Sequence, residues 1–102
     1  IMSPFQPVPT AASTTALAVT ASNQTLTLSP NGGSMTRSMR IAVIGTQTVF
    51  VALGTVTSSV TTSMPILANS VEVFTLPAGL TTLSVIAADT GSTIYVTIGE
   101  GV

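Results

Sequence analysis

The apolar residues of this chain recur at every second position, and the residues between them are mostly threonine and serine rather than charged groups. Leu17 and Val19 alternate with Ala18 and Thr20, and Leu26 and Leu28 with Thr25 and Thr27. Met39, Ile41 and Val43 alternate with Arg40, Ala42 and Ile44. A period of two is that of a strand, whose successive side chains point to opposite faces. No window of helical length carries apolar residues at i, i+3, i+4 and i+7, and the abundant β-branched Thr and Val favour strands.

Between the alternating runs lie clusters of turn residues, among them Ser22-Asn23-Gln24, the stretch from Ser29 to Ser34, Gly45-Thr46-Gln47, Pro77-Ala78-Gly79 and Asp89-Thr90-Gly91. About seven or eight short strands broken by turns read as an all-β fold, an antiparallel β-sandwich or jelly-roll-like barrel. The spacing predicts hairpins pairing Met39 to Ile44 with Thr48 to Leu53, and Thr82 to Ala88 with Thr93 to Ile98. Residues 54–63, almost pure Thr, Ser and Val, fit either a weak strand or a long surface loop.

The first fifteen residues differ from the rest. Pro4, Pro7 and Pro9 are interleaved with Phe5 and Val8, and spaced prolines favour extended conformations without ladder hydrogen bonds. Residues 1–15 therefore read as an extended arm and residues 16–102 as a single β domain. Met2, Phe5 and Val8 are apolar groups that a solvated tail does not need, and they mark the arm as a contact for a neighbouring subunit. A disordered tail is the alternative.

Charge is the other unusual quantity. The 102 residues include only two arginines, three acids and no Lys, His, Cys or Trp, about a fifth of the charge of an ordinary soluble domain. Hydroxyls stand in their place, as 19 Thr and 12 Ser. Without Cys or His, the usual zinc, copper and haem sites have no ligands, so no metal or cofactor is expected. The side chain that most often serves as a general base is missing too. Two arginines in a chain of net charge −1 cannot neutralise a run of phosphates, which argues against direct nucleic-acid binding. Mean hydropathy is +0.69, but the longest apolar run, Val49 to Leu53, falls far short of the roughly 20 residues of a spanning helix, so no membrane is expected. The segment from Ile1 to Pro9 lacks the basic and apolar regions of a signal peptide.

Each candidate for chemistry has a plainer reading beside it. Ala88-Asp89-Thr90-Gly91 superficially matches the Asp-Thr-Gly of aspartic proteases, but the chain has one Asp and the segment reads as a turn. Glu72 and Glu100 can be nominated as a glycosidase pair, yet solvated or ion-paired glutamates account for them. No His or Lys activates a Ser or Thr nucleophile. Tyr95 is a packing residue with a wet hydroxyl. Asn23-Gln24-Thr25 matches a glycosylation acceptor by chance. The expectation is that the chain is not an enzyme. Arg37 and Arg40 either pair with Glu72 or a backbone carbonyl, or meet an acidic partner surface, since Arg is enriched at interfaces.

Edge strands are usually guarded by Lys, Glu or Pro, and this β-rich chain has few of these. Its edges are either closed or covered, or the chain associates with itself as a dimer or trimer. Interface cores are depleted in charge, which favours association.

One resemblance bears on the function. The runs Arg40-Ile41-Ala42-Val43, Val49 to Gly54, Met64-Pro65-Ile66, Asn69 to Gly79 and Ile94 to Gly101 resemble short proteins of tailed bacteriophages that look like the cement (decoration) proteins of phage capsids. The resemblance covers about residues 37 to 101. It implies a small β-sandwich or jelly roll on the outer capsid surface of the virion, with the major capsid protein as partner. Such a protein bridges neighbouring capsid subunits and resists the pressure of packaged DNA. Many weak identical contacts on a lattice gain by avidity, which suits a charge-poor chain. A receptor- or glycan-binding module of a phage tail fibre or head fibre is the alternative.

Overall fold

A computed structural model describes residues 5–7, 14–28 and 36–100. Among these residues the chain forms nine strands: β1 (Gln6–Pro7), β2 (Thr14–Val19), β3 (Gln24–Thr27), β4 (Arg37–Gly45), β5 (Val49–Leu53), β6 (Met64–Ile66), β7 (Ser70–Leu76), β8 (Thr82–Ala87) and β9 (Ser92–Glu100). All the pairings are antiparallel. They make two sheets. In sheet A the order is β2-β9-β4-β7, with β1 pairing the far end of β9 on the same side as β2. In sheet B the order is β3-β8-β5-β6.

From β2 onward, every connection except the one from β5 to β6 carries the chain from one sheet to the other. The eight strands β2 to β9, four in each sheet and wound in this way, are a jelly roll to which β1 is added at the end of β9, one of the architectures by which antiparallel folds manage their edges.

The winding corrects both expected hairpins. β4 and β5 lie in different sheets, and so do β8 and β9. Turn residues report a local chain reversal, and the reversal that pairs two neighbouring strands uses the same residues as one that spans the roughly 10 Å between packed sheets. Here the two arches are joined at one end of the sandwich. Thr46 N–H donates to the Gly91 carbonyl at 3.2 Å. The buried Ser92 hydroxyl accepts from Gln47 N–H at 2.8 Å and donates to the Gln47 carbonyl at 2.7 Å. Gly45 has φ 144°, and a Cβ there would lie 2.1 Å from the Gly91 oxygen, so only glycine fits where the arches touch.

The core follows the alternation. Met39, Ile41 and Val43 of β4 are buried and meet Ile94, Val96 and Ile98 of β9 in register. Opposite them sit Leu26 of β3, Leu83 and Val85 of β8, Val49 and Val51 of β5 and Ile66 of β6, all buried in one cluster. Fully burying one such side chain contributes about 1.5–3 kcal/mol, and this continuous apolar layer holds the sheets together in a chain that has no cysteine.

Residues 54–63 are a loop that folds over the outer face of sheet B. The fully buried Ser84 of β8 donates to the Gly54 carbonyl at 2.9 Å and accepts from Val56 N–H at 3.0 Å. Asn23 Oδ1 accepts from Ser58 N–H at 2.8 Å and from the Ser58 hydroxyl, while Asn23 Nδ2 donates to the Val56 carbonyl at 3.3 Å. Thr and Ser dominate this segment because short hydroxyl groups can satisfy a backbone that joins no ladder.

Candidate interaction surface

The outer face of sheet A has no such cover among the described residues. Its composition follows from register, because residues directly opposite one another project to the same side of a sheet. One row runs Ala16, Tyr95, Ala42, Val71, and the next runs Thr14, Thr97, Arg40, Val73. Ile44, Thr93 and Ala18 form a third row at one end. Arg40 is the one charged residue of these rows. Ile44 is 59% exposed, Val71 and Tyr95 are also exposed, and Leu67 on the β6–β7 connection is 65% exposed at the rim.

A shallow depression of about 510 Å³ runs across this face between Thr14, Arg40, Tyr95, Thr97, Asn69 and Val71. Its rim is fixed. Asn69 has φ 57° and its Oδ1 accepts from Gly45 N–H at 3.2 Å, which ties the β6–β7 turn to the end of β4. Ser70 Oγ donates to the Leu67 carbonyl at 2.6 Å, and the Thr14 and Thr97 hydroxyls lie 2.8 Å apart. The surface is apolar in its middle and hydroxyl-bearing at its edges. It offers van der Waals area and hydrogen-bond groups at little desolvation cost, since a buried hydroxyl that finds a partner costs far less than a buried charge.

A second hollow of about 300 Å³ opens between the sheets, where Met39, Ile41, Val51, Leu53, Met64 and Phe74 meet. It is apolar, with Met39, Ile41 and Val51 buried in the core and Leu53 and Met64 exposed to solvent.

The residues singled out in the sequence fall apart on this frame. Met2 and Val8 lie outside the described residues, while Phe5 is half-buried beside β1, which pairs with the chain's own β9. Arg37 and Arg40 share β4 but not a face. Arg40 is exposed on the outer surface, whereas Arg37 takes the inward phase of Met39 and its Nε is buried without a hydrogen-bond partner. Pairing of Arg40 with Glu72 is precluded by register. Arg40 stands opposite Val73, so its neighbour Glu72 projects from the other side of sheet A.

The acids are equally dispersed. Asp89 is exposed in the β8–β9 arch, where its Oδ1 accepts from Thr90 N–H at 2.8 Å. Glu100 stands opposite Gln6 at the end of β9. Glu72 is two strands across and four positions along from the level of Glu100, which strand spacings convert to roughly 16 Å, too far for a carboxylate pair flanking one glycosidic bond. Asn23, the glycosylation candidate, spends both ends of its amide on the loop over sheet B.

Comparisons with known proteins add little to this geometry. No protein-family model matches the sequence, and no curated protein matches it. Among solved structures the chain is similar to the coat protein of Tobacco streak virus, at 12% identity and a TM-score of 0.38, with 92% of this chain and 91% of that one covered. A structure of the coat protein dimer of the same virus is similar at 13% identity and a TM-score of 0.36, with 88% of each chain covered. The jelly-roll assignment rests on the strand order itself.

The outer face of sheet A escaped the residue-by-residue reading, although its signal was present. Ile44 occupies the polar phase of β4, and Val71 and Val73 occupy one phase of β7. An apolar residue in the outward phase of a strand that already has a buried face gives that strand a second apolar face, as Ile44 and Val71 do here.

Proposed function

We propose that this chain is a structural virion protein, a cement or decoration protein that binds the outer surface of a bacteriophage head and stabilises contacts between major capsid subunits. The observation that supports this reading is the asymmetry of the sandwich. Sheet B is roofed by the chain's own loop, whereas sheet A presents Ile44, Val71 and Tyr95 around a single cation, Arg40. Buried interface centres are depleted in charge and enriched in aromatic residues and Arg, which is the composition of this face. Gln6–Pro7 and Thr14–Thr15 pair with the chain's own β9, so of residues 1–15 it is the apolar side chains Met2, Phe5 and Val8 that supply a second contact on a neighbouring subunit, and Arg40 meets an acidic group of the shell. Arg37, with its buried Nε, meets the shell only if the end of β4 opens.

Sedimentation of purified chain with phage heads stripped of it tests the reading. Co-sedimentation that saturates at a fixed number of copies per head is expected, and failure to bind any shell from the source particle overturns it.

A second reading, a receptor- or glycan-binding module, draws on the same depression. Tyr95 offers an aromatic platform, Arg40 a cation for an acidic sugar, and Thr14, Thr97 and Asn69 hydrogen-bonding groups. Saturable binding of an acidic glycan that Tyr95→Ala abolishes would favour this reading over the first.

A further inference from the structure

The five outer strands of the sandwich are not equally protected. β6 is three residues long and contains Pro65, and β1 is two residues long and contains Pro7. β3 has four residues. β7 has seven, but carries Glu72 on its inward phase, and short strands, prolines and inward-pointing charges all discourage edge pairing. β2 has none of these devices. Its six residues, Thr14–Val19, contain no charge and no proline, and among the described residues only β9 pairs with it.

We infer that β2 is a self-association edge: two copies of this chain pair their β2 strands antiparallel about a two-fold axis. The sequence of the strand selects this occupant. An edge that read a foreign strand by charge would carry a charge, and this one has none. In an antiparallel self-pair each β2 meets Thr, Ala, Leu and Val of the other, so no like charges face each other across the ladder. Leu17 packs against the core but is only partly buried, and a strand laid alongside would cover its exposed flank.

The pairing also has a consequence for the open face. Ala16 and Ala18 lie on the outer surface beside Tyr95 and Thr93. Joining two β2 strands therefore runs sheet A of one copy into sheet A of the other, β7-β4-β9-β2 meeting the same four strands in reverse. Two charge-poor faces become one. A ladder of six residues is short, and interfaces of small area are weak, so the dimer forms at high concentration or on a lattice that supplies it.

This inference concerns the free protein and stands apart from the shell. Size-exclusion chromatography with light scattering, run up to roughly 200 µM as suits a small interface, should show a mass rising toward twice the 10.2 kDa of the chain. Ala16→Lys and Ala16→Glu should each hold the mass at a single chain with an unchanged circular dichroism spectrum. Mixing these two variants in equal amounts should restore the dimer, which misfolded chains cannot do. Val71→Lys, on the opposite edge strand, should dimerise like the parent. A parent chain that stays monomeric throughout, or a dimer that Ala16→Lys leaves intact, overturns the inference. Loss of shell binding with dimerisation retained counts against the cement reading alone.

Discussion

Glu72 stands directly opposite Ile41 on the β7–β4 ladder. Ile41 is fully buried and Glu72 is exposed, so the acid of this edge strand takes the phase of the core while its carboxylate reaches water at the open side of the sandwich. A strand that slid along β7, or a foreign strand clamped over that edge, would have to desolvate the carboxylate, at a cost of several kcal/mol. Glu72 thus guards the longest outer strand.

Replacing it should release that edge. Glu72→Val is expected to alter thermodynamic stability by no more than about 1 kcal/mol while raising aggregation on mild heating. Light scattering during a thermal ramp reads this directly; a variant that scatters no more than the parent assigns the protection of β7 to something else.

Ser84 ties the 54–63 loop to sheet B through two backbone partners, the Gly54 carbonyl and the Val56 N–H. Ser84→Ala removes both at a fully buried position and leaves those groups unsatisfied, so a loss of about 1–3 kcal/mol is expected. The loss should be felt first in the loop. Limited proteolysis should cut within residues 54–63 of the variant well before the parent, and equal cutting would show that Asn23 alone holds the loop.

Gly45 and Gly91 make the contact on which both arches at one end depend. Gly45→Ala would place a Cβ 2.1 Å from the Gly91 oxygen and 2.6 Å from the Ser92 Cα, both backbone atoms, at φ +144°. Adding strain to overpacking, we expect a loss of about 3 kcal/mol or more in urea unfolding. Gly79→Ala is the control, with positive φ but nothing within 4 Å, and should cost about 1 kcal/mol. Equal losses at the two positions would show that conformation, and not the close approach of the arches, limits Gly45.

Much of the fold is legible in the sequence, and what is not has a common cause. Period two places Met39, Ile41 and Val43 inside and Arg40 and Ile44 outside, as found, because a half-buried strand must alternate. Turn residues around Gly45 and Gly91 marked reversals at the right places, but partner choice is non-local, and nothing in Gly45-Thr46-Gln47 distinguishes a hairpin from an arch between sheets. The phase of β7 is harder still. With Val71 and Val73 on one side and Phe74 and Leu76 on the other, hydrophobicity alone does not say which faces the core, and the register sends the valines outward. The few edge guards were visible as residues, Glu72 and Pro65, but a guard has meaning only once its strand is known to be an edge. For the candidate surface, the low charge of the chain pointed to an uncharged face without saying where it lies, and the strand order was needed to place Ile44, Val71 and Tyr95 together on sheet A.

The open face separates stability from binding. Ile44 is 59% exposed, so Ile44→Asp should change unfolding free energy by only about 0.5 kcal/mol while weakening attachment to phage heads at least tenfold, as truncation at an interface centre does. Co-sedimentation with heads and urea titration on the same sample check both halves, and a variant that binds normally removes the face from the docking surface.

The cement reading puts the chain on a capsid, and that placement is the direct test of it. Cryo-electron microscopy of the source virion should show this jelly roll over junctions between capsid subunits, with β2, β9, β4 and β7 turned toward the shell and the 54–63 loop toward solvent. Density found only on a tail or fibre, or on the head with sheet A facing solvent, would contradict it.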